Sequence, residues 1–408
     1  MPETFSLDIK LGAASAATQI EGGELDHSWN DWCKKGRIRD GTDVSRANNH
    51  YNLWREDIDI MKKMGLQCYR LGLEWARIEP RQGEFDFDAF AYYRLLISEL
   101  ISSGITPLVT LHHFTNPMWF ENKGAFTKKE NLPIFLRYVD EVVTRLGDII
   151  SEYITINEPN VYAVNGYVFG LWPPGEKSIH SGLHVMRNMA KCHIEAYKLI
   201  HKKRKERDFD DTKIGFSHHV RVFDPQNPKN LMHRLFACIN SYAFQDSLWK
   251  KCGKYCDFIA VNYYTRSTVV GKIGELTPEN VKKNDLGWEI YPRGIVRSTE
   301  KLYKTVKKPI FITENGTCDN NDTFRAKYIY DHLKQLVESD LPVERYYHWS
   351  FTDNFEWIEG ETARFGLVHV DYETQKRTIK KSGEFYSEMI KNAGVTEEMV
   401  EKYNLLGL

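Results

Sequence analysis

Residues 309–315 read PIFITEN, followed by Gly316. After Lys308 and Pro309 the chain runs through Ile310, Phe311 and Ile312 as a buried strand would, then ends on Glu314, Asn315 and Gly316. A buried carboxylate is costly unless it is paired, hydrogen-bonded or protonated, so an apolar strand with Glu314 at its tip needs compensating groups nearby.

Seven further apolar or β-branched runs surround this one: KLGAASAA (10–17), CYRLGLEW (68–75), TPLVTLHHF (106–114), EYITINEP (152–159), KIGFSHHV (213–220), DFIAVNYYT (257–265) and ERYYHWSF (344–351). Amphipathic segments with helical spacing lie between them. Trp54, Ile58 and Met61 form one stripe, closed by Gly65; Phe135, Val139, Val142 and Leu146 form another, closed by Gly147. Ala326, Ile329, Leu333 and Leu336 form a third. Eight strands alternating with helices predict a parallel sheet, and eight is the count that closes a single (β/α)8 TIM barrel. No Ser/Gly linker, repeat or low-complexity tract interrupts the pattern, so residues 1–408 read as one barrel domain. An open doubly wound sheet is the structural alternative. It would usually carry a Gly-rich phosphate turn after its first strand, and LGAASAATQIEGG (11–23) lacks the GxGxxG spacing.

With 42% hydrophobic and 27% charged residues the chain can build a large core. A net charge of −1 gives no electrostatic case for nucleic acid or an anionic membrane as partner. Ten Trp, 22 Tyr and 21 Phe favour a site that stacks flat ligands or sugars. The seven cysteines include Cys252 and Cys256, whose spacing is neither a CxxC redox motif nor half of a zinc site; buried, reduced thiols are expected. MPETFSLDIK (1–10) has no apolar signal region and no run approaches a membrane span, so a cytoplasmic protein is expected. The basic run HKKRKERDFDD (201–211) reads as a solvated helix end, because acids follow the bases at once.

In a barrel of this kind catalytic residues sit where strands end. The first run leads to Gln19 and the second contains Arg70; the third ends at His112, His113 and Phe114, the fourth at Asn157 and Glu158. The sixth ends at Asn262, Tyr263 and Tyr264, the seventh at Glu314, and the eighth carries Trp349, then Asp353, Glu356 and Trp357. Amides, imidazoles, carboxylates and indoles on one rim suit a ligand with many hydroxyls and flat apolar faces. Glu158 and Glu314 also suit glycoside hydrolysis, in which one carboxylic acid protonates the leaving oxygen while a second carboxylate attacks the anomeric carbon or activates water. Taken singly, a Glu before Pro is as often a plain loop residue, and a lone Trp is more often packing than a ligand platform. His112 and His113 do not make a metal pair, since adjacent strand residues point to opposite faces.

The chain resembles glycoside hydrolase family 1, the β-glucosidase and β-galactosidase family of retaining barrel enzymes. The resemblance runs from GAASAATQIEGG (12–23) to RFGLVHVDYETQKRTIKKSG (364–383) in the family's order. TINEP (155–159) matches the family's acid/base motif and implies that Glu158 is the general acid/base; ITENG (312–316) matches the nucleophile motif and implies that role for Glu314. The resemblance further places Arg70 and Tyr264 beside the nucleophile, keeping it ionised. Glu158 would be protonated in the free enzyme by partial burial and by the charge of Glu314. The sugar would be held by Gln19, His113, Asn157, Tyr264, Glu356 and Trp357, with Trp349 as its floor. The implied activity is hydrolysis of a terminal, unphosphorylated β-glucosyl, galactosyl or fucosyl unit of a small β-glycoside, through a covalent glycosyl-enzyme, with no metal or organic cofactor. A homo-oligomer is compatible with it.

The relatives that act on 6-phosphoglycosides replace the Glu–Trp pair, whereas NFEWIEG (354–360) keeps Glu356, whose charge would repel phosphate. ETARFG (361–366) offers no lysine clamp, although Arg364 lies close by. A 6-phospho-β-glycosidase is the nearest rival activity; a catalytically silent sugar-binding barrel is the rival of another class, and would be expected to lack one glutamate. Two departures from the family pattern are Phe114 where a Trp is common, which removes an indole N–H, and Thr18 where a Tyr is familiar. The chain between FSHHV (216–220) and CDFIAV (256–261) is also short, with room for little more than one helix and a loop, which should leave the aglycone side open.

Overall fold

The computed structural model describes residues 3–271 and 276–407. Eight parallel strands close a barrel: β1 (Lys10–Ala14), β2 (Cys68–Gly72), β3 (Thr106–Thr110), β4 (Glu152–Asn157), β5 (Lys213–Pro225), β6 (Ile259–Val269), β7 (Ile310–Asn315) and β8 (Val343–Trp349). Closure is made by β1 against β8, with Leu11 opposite Tyr346 and Ala14 opposite Trp349. β2, β4 and β7 are buried at every residue. That is why their sequences read as continuous apolar runs: barrel strands are covered by helices outside and by packed side chains inside.

Each of the eight strands lies on one of the eight runs recognised in the sequence; β8 begins one residue before its run, at Val343, and β5 and β6 overrun theirs. Both continue past the barrel as a paired ribbon, from Val222 opposite Arg266 to Pro225 opposite Val269. Asp224 in this ribbon is held by Arg297 (2.8 Å) and Arg266 (3.4 Å). Beyond it the short connection is one nearly continuous helical run, Leu231–Ser241, a π turn over Tyr242–Asp246, and Ser247–Cys252.

Of the three stripes, Trp54, Ile58 and Met61 are buried on helix His50–Met64, and Gly65 ends it at φ 76°. The helix Leu132–Leu146 ends differently. Gly147 is right-handed at φ −67°, so its role there is not the left-handed cap the sequence suggested; its Cβ would instead meet the carbonyl of Val143 at 2.3 Å. The basic run also departs from expectation. Arg204 is buried at the end of helix Ile179–Lys205 and donates to the carbonyls of Gly147 and Ile150, so one of its bases is a structural clamp rather than a solvated charge. Seven thiols are free; Cys238 is exposed and Cys33 half-buried, the others buried.

Candidate active site

At the carboxyl ends of the strands the register of the barrel shifts between Ile154 and Asn157, between Val261 and Asn262, and between Ile312 and Asn315. Irregularities of this kind re-aim side chains, and here they flank Asn157, Asn262 and Glu314. Glu158 follows in the left-handed region at φ 40°, ψ 63°, just before Pro159 opens the helix Pro159–Ala163. Its N–H is used by the carbonyl of Ser217 at 2.8 Å. Phe114 and Trp357 share the left-handed backbone, at φ 66° and 51°. Such residues cost on the order of 1–3 kcal/mol each and gather at functional sites, where the surroundings over-determine them.

The Asn and Gly after Glu314 have separate tasks. Asn315 Nδ2 donates to the carbonyl of Tyr263 (2.7 Å) and to Tyr328 Oη (3.0 Å), while its Oδ1 accepts from Tyr346 Oη (2.8 Å). A Cβ on Gly316 would lie 1.8 Å from the carbonyl oxygen of Trp349, so only glycine lets β7 and β8 finish this close together. Glu314 is thereby anchored from behind. In front, its Oε1 accepts from Arg70 Nη1 at 2.5 Å and its Oε2 from Tyr264 Oη at 2.6 Å. Arg70 also reaches Asn157 Oδ1 (2.6 Å) and Thr110 Oγ1 (3.0 Å), which fixes the plane of the guanidinium.

Glu158 is bound through one oxygen. Its Oε1 accepts from Asn262 Nδ2 at 2.8 Å and lies 3.0 Å from His219 Nδ1. Asn262 also donates to Asn157 Oδ1 (3.1 Å), so the two carboxyl groups share a single network through Asn157 and Arg70. Both line a cavity of about 310 Å³, walled by His113, Phe114, Trp172, Tyr264, Trp288 and Trp357 among others.

Burial pushes the Glu314 carboxyl up to about 7, and the charge of Glu158 adds to it; Arg70 and Tyr264 pull the other way. The family resemblance implies an ionised Glu314; burial opposes that form, and Arg70 and Tyr264 favour it. Burial likewise raises Glu356 to about 8, opposed by a hydrogen bond from Trp349 and assisted by the charge of Glu314. Burial therefore disfavours the charged form of Glu356, while the donors Trp349 and Gln19 favour it. Arg364, which follows the Glu–Trp pair in sequence, is turned away to Asp353 (3.3 Å) and the carbonyl of Val370 (2.9 Å).

His113 forms a layer with the indoles: its ring stacks near Trp349 (5.7 Å, 28°) and Trp357 (5.9 Å, 29°), and its Nε2 meets Asn157 Nδ2 at 3.0 Å. Desolvation and the charge of Arg70 hold the His113 imidazole well below its ordinary value, hence neutral. Gln19 is not at a strand tip but on the short helix Ala17–Ile20, from which Nε2 donates to the carbonyl of Phe355 (2.8 Å) and reaches Glu356 Oε2 at 3.4 Å. Its Oε1 is buried without a protein partner, as is His113 Nδ1. His112 faces the other way, onto Asn116 at 2.8 Å. Asp353 stands apart from the site: Lys380 (2.6 Å) and Arg364 hold it, and its carboxyl is lowered to about 2. Thr18 is buried on Glu74 (2.6 Å) and Thr115, away from the cavity.

Sequence reasoning missed His219, Trp172 and Trp288, and gave Asn262 no role. The signal for His219 was available, since SHHV ends the fifth run as HHF ends the third. Among the described residues no group of His, Cys, Asp and Glu is arranged to hold a metal ion.

This site, two carboxyl groups among stacked aromatics at the carboxyl end of a (β/α)8 barrel, belongs to the class of barrel enzymes. The family profile described as Glycosyl hydrolase family 1 matches residues 1–269 and 240–395. Beta-glucosidase A of Thermotoga maritima is 31% identical over 447 aligned residues, covering 95% of this chain and 97% of that protein. A beta-glycosidase from Pyrococcus horikoshii superposes with a TM-score of 0.91 at 34% identity, covering 100% of both chains. The beta-glucosidase from Thermotoga maritima in complex with glucoimidazole superposes with a TM-score of 0.89 at 29% identity, covering 97% of this chain and 100% of that one. The chain belongs to glycosyl hydrolase family 1 and is a glycoside hydrolase of the β-glucosidase type.

Proposed function

We propose that the protein hydrolyses the terminal, unphosphorylated β-glucosyl, galactosyl or fucosyl unit of small β-glycosides by double displacement, with Glu158 as acid/base and Glu314 as nucleophile. The observation that carries this reading is the asymmetric support of the two carboxyls on one cavity. Glu314 takes Arg70 and Tyr264 on its two oxygens, whereas Glu158 takes both of its donors on Oε1. In the first step the Glu158 proton passes to the glycosidic oxygen as the bond from C1 breaks, its electron pair leaving with that oxygen, and a Glu314 oxygen bonds to C1. In the second, Glu158 takes a proton from water, the water oxygen bonds to C1, and Glu314 departs as carboxylate. Attack needs the ionised Glu314, and Arg70 and Tyr264 are the groups that favour that form.

For the sugar, Gln19 and Glu356 would read the hydroxyls far from C1, and Asn157 and His113 those nearer. The unpartnered Gln19 Oε1 and His113 Nδ1 support this, because buried polar atoms call for a partner and a polyhydroxyl ligand supplies one. Trp349 and Trp357 would lie against the C–H faces. Preference for unphosphorylated sugar rests on the engagement of Arg364 with Asp353 and Val370, which takes it away from a clamp role.

One plate tests the reading: nitrophenyl β-glucoside, β-galactoside, β-fucoside and 6-phospho-β-glucoside with the purified protein and its Glu314→Gln and Glu158→Gln variants. Hydrolysis of an unphosphorylated glycoside, abolished in Glu314→Gln, is expected. Turnover of the 6-phosphate alone would overturn the substrate assignment, and full activity of Glu314→Gln would overturn the mechanism.

A further inference from the structure

His219 and Arg221 lie two residues apart on β5, and both line the cavity. Arg221 Nε sits 3.0 Å from His219 Nε2, and His219 Nδ1 sits 3.0 Å from Glu158 Oε1. A guanidinium has N–H donors and no acceptor. The nitrogen it addresses must therefore offer a lone pair, which leaves the ring proton on Nδ1, facing Glu158. The imidazole is held in place by Tyr264, stacked at 5.8 Å and 18°, and by the edge of Phe244 at 5.7 Å and 87°. Arg221 is itself fixed through its backbone, whose N–H donates to Gln245 Oε1 (2.8 Å) and whose carbonyl accepts from Gln245 Nε2 (3.0 Å).

The other donor to the same oxygen is equally determined. Thr313 Oγ1 donates to Asn262 Oδ1 at 2.7 Å, which turns the Asn262 amide nitrogen toward Glu158 Oε1. With two N–H groups directed at it, Oε1 acts only as an acceptor, and a proton carried by Glu158 resides on Oε2.

We propose that Arg221 is a positioning residue for proton transfer: it locks His219 in the Nδ1–H tautomer and thereby confines the transferable proton of Glu158 to Oε2. This rests on the reading of Glu158 as acid/base. Were the His219 proton on Nε2 instead, a lone pair would face Oε1, and Glu158 would turn its own O–H toward the imidazole and away from the leaving oxygen. Arg221 touches no reacting atom. Its effect is felt in proportion to how much the leaving group needs a proton: strongly for an alkoxide, little for a dinitrophenolate.

The test is a double-mutant cycle on the full chain with Arg221→Met and His219→Asn, using an alkyl β-glucoside and dinitrophenyl β-glucoside. Arg221→Met is expected to lower kcat/KM on the alkyl substrate about 10-fold more than on the dinitrophenyl one, a fraction of the usual general-acid contribution. In the His219→Asn background the same change should alter that ratio less than about twofold, because an Asn amide donates without a tautomer to be chosen. Equal losses on both substrates, or in both backgrounds, mean a merely structural Arg221 and overturn the proposal. Nitrogen NMR of labelled histidine in the unaltered protein reads the lock without any variant: the His219 proton on Nδ1 supports it, and on Nε2 refutes it. Glu158→Gln separates the two levels. Survival of alkyl-glucoside hydrolysis there would remove the acid/base reading and this proposal together, whereas its loss alongside a flat cycle would remove the proposal alone.

Discussion

Glu314 and Glu356 face one cavity, and burial raises both, to about 7 and about 8. A carboxyl whose folded value exceeds its unfolded value stabilises the native state fully below the unfolded value, near 4.5, and loses that contribution as the pH climbs through the folded one. The protein is therefore expected to lose stability between about pH 4.5 and 8 through these two groups. Glu356→Gln, which cannot ionise, should be more stable than the parent at pH 8, by on the order of 1–2 kcal/mol, and no different at pH 4.5, while losing sugar affinity. Calorimetric melting at the two pH values checks this; equal Tm at pH 8 would contradict it. Tyr264→Phe removes a donor that favours ionised Glu314. We expect kcat/KM to fall about 10–100-fold and the acid limb of its pH profile to move to higher pH; an acid limb moved downward would be inconsistent with the hydrogen bond. The residues themselves were legible as polar groups where apolar runs end. Their protonation was not, because it depends on how far water is excluded.

Strand ends, more than strand interiors, govern what the elements deliver. The contrast between Gly65 and Gly147 is instructive: the same residue at the same place in two helical patterns serves a left-handed cap in one and a close backbone approach in the other. Gly316 is of the second kind. Gly316→Ala would force β7 from β8 at the carbonyl of Trp349, and should cost roughly 2–4 kcal/mol and most of the activity. Urea unfolding and kcat/KM should fall together; a stable variant with parental kinetics would refute the packing argument. The overrun of β5 and β6 escaped the sequence because Arg221, Asp224 and Arg266 break its apolar pattern. In the fold, ion pairs and ladder bonds of the ribbon absorb those charges.

At the scale of the whole barrel, a buried ion pair lies at the end opposite the site. At the amino-terminal end of the strands, Glu152 on β4 and Arg345 on β8 pair across the interior, both buried, with Arg345 Nη2 2.6 Å from Glu152 Oε1. Removing Arg345 leaves the buried Glu152 with a weaker offset, the half-exposed Lys213 at 4.0 Å. Arg345→Met should therefore destabilise by about 3–5 kcal/mol, and adding Glu152→Met should recover most of it. Denaturant midpoints of the single and double variants decide this, and kcat/KM of the folded protein should change little because the pair lies far from the cavity. A midpoint unmoved by Arg345→Met would show the pair to be solvated.

By itself the sequence determined the number and order of the strands, the type of layer each belongs to, and the presence of two carboxylates and several aromatics at their ends. Those properties are local: hydrophobic period, turn residues and the chemistry of single side chains. Only the tertiary structure decided which of these groups act on one another. Arg70 meets Glu314 across 244 positions of chain, and Gln19 meets Phe355 across 336. The tautomer of His219, the raised carboxyls and the inactive placement of Asp353 and His112 all follow from such contacts and from the exclusion of water, and neither is written in any single stretch of residues.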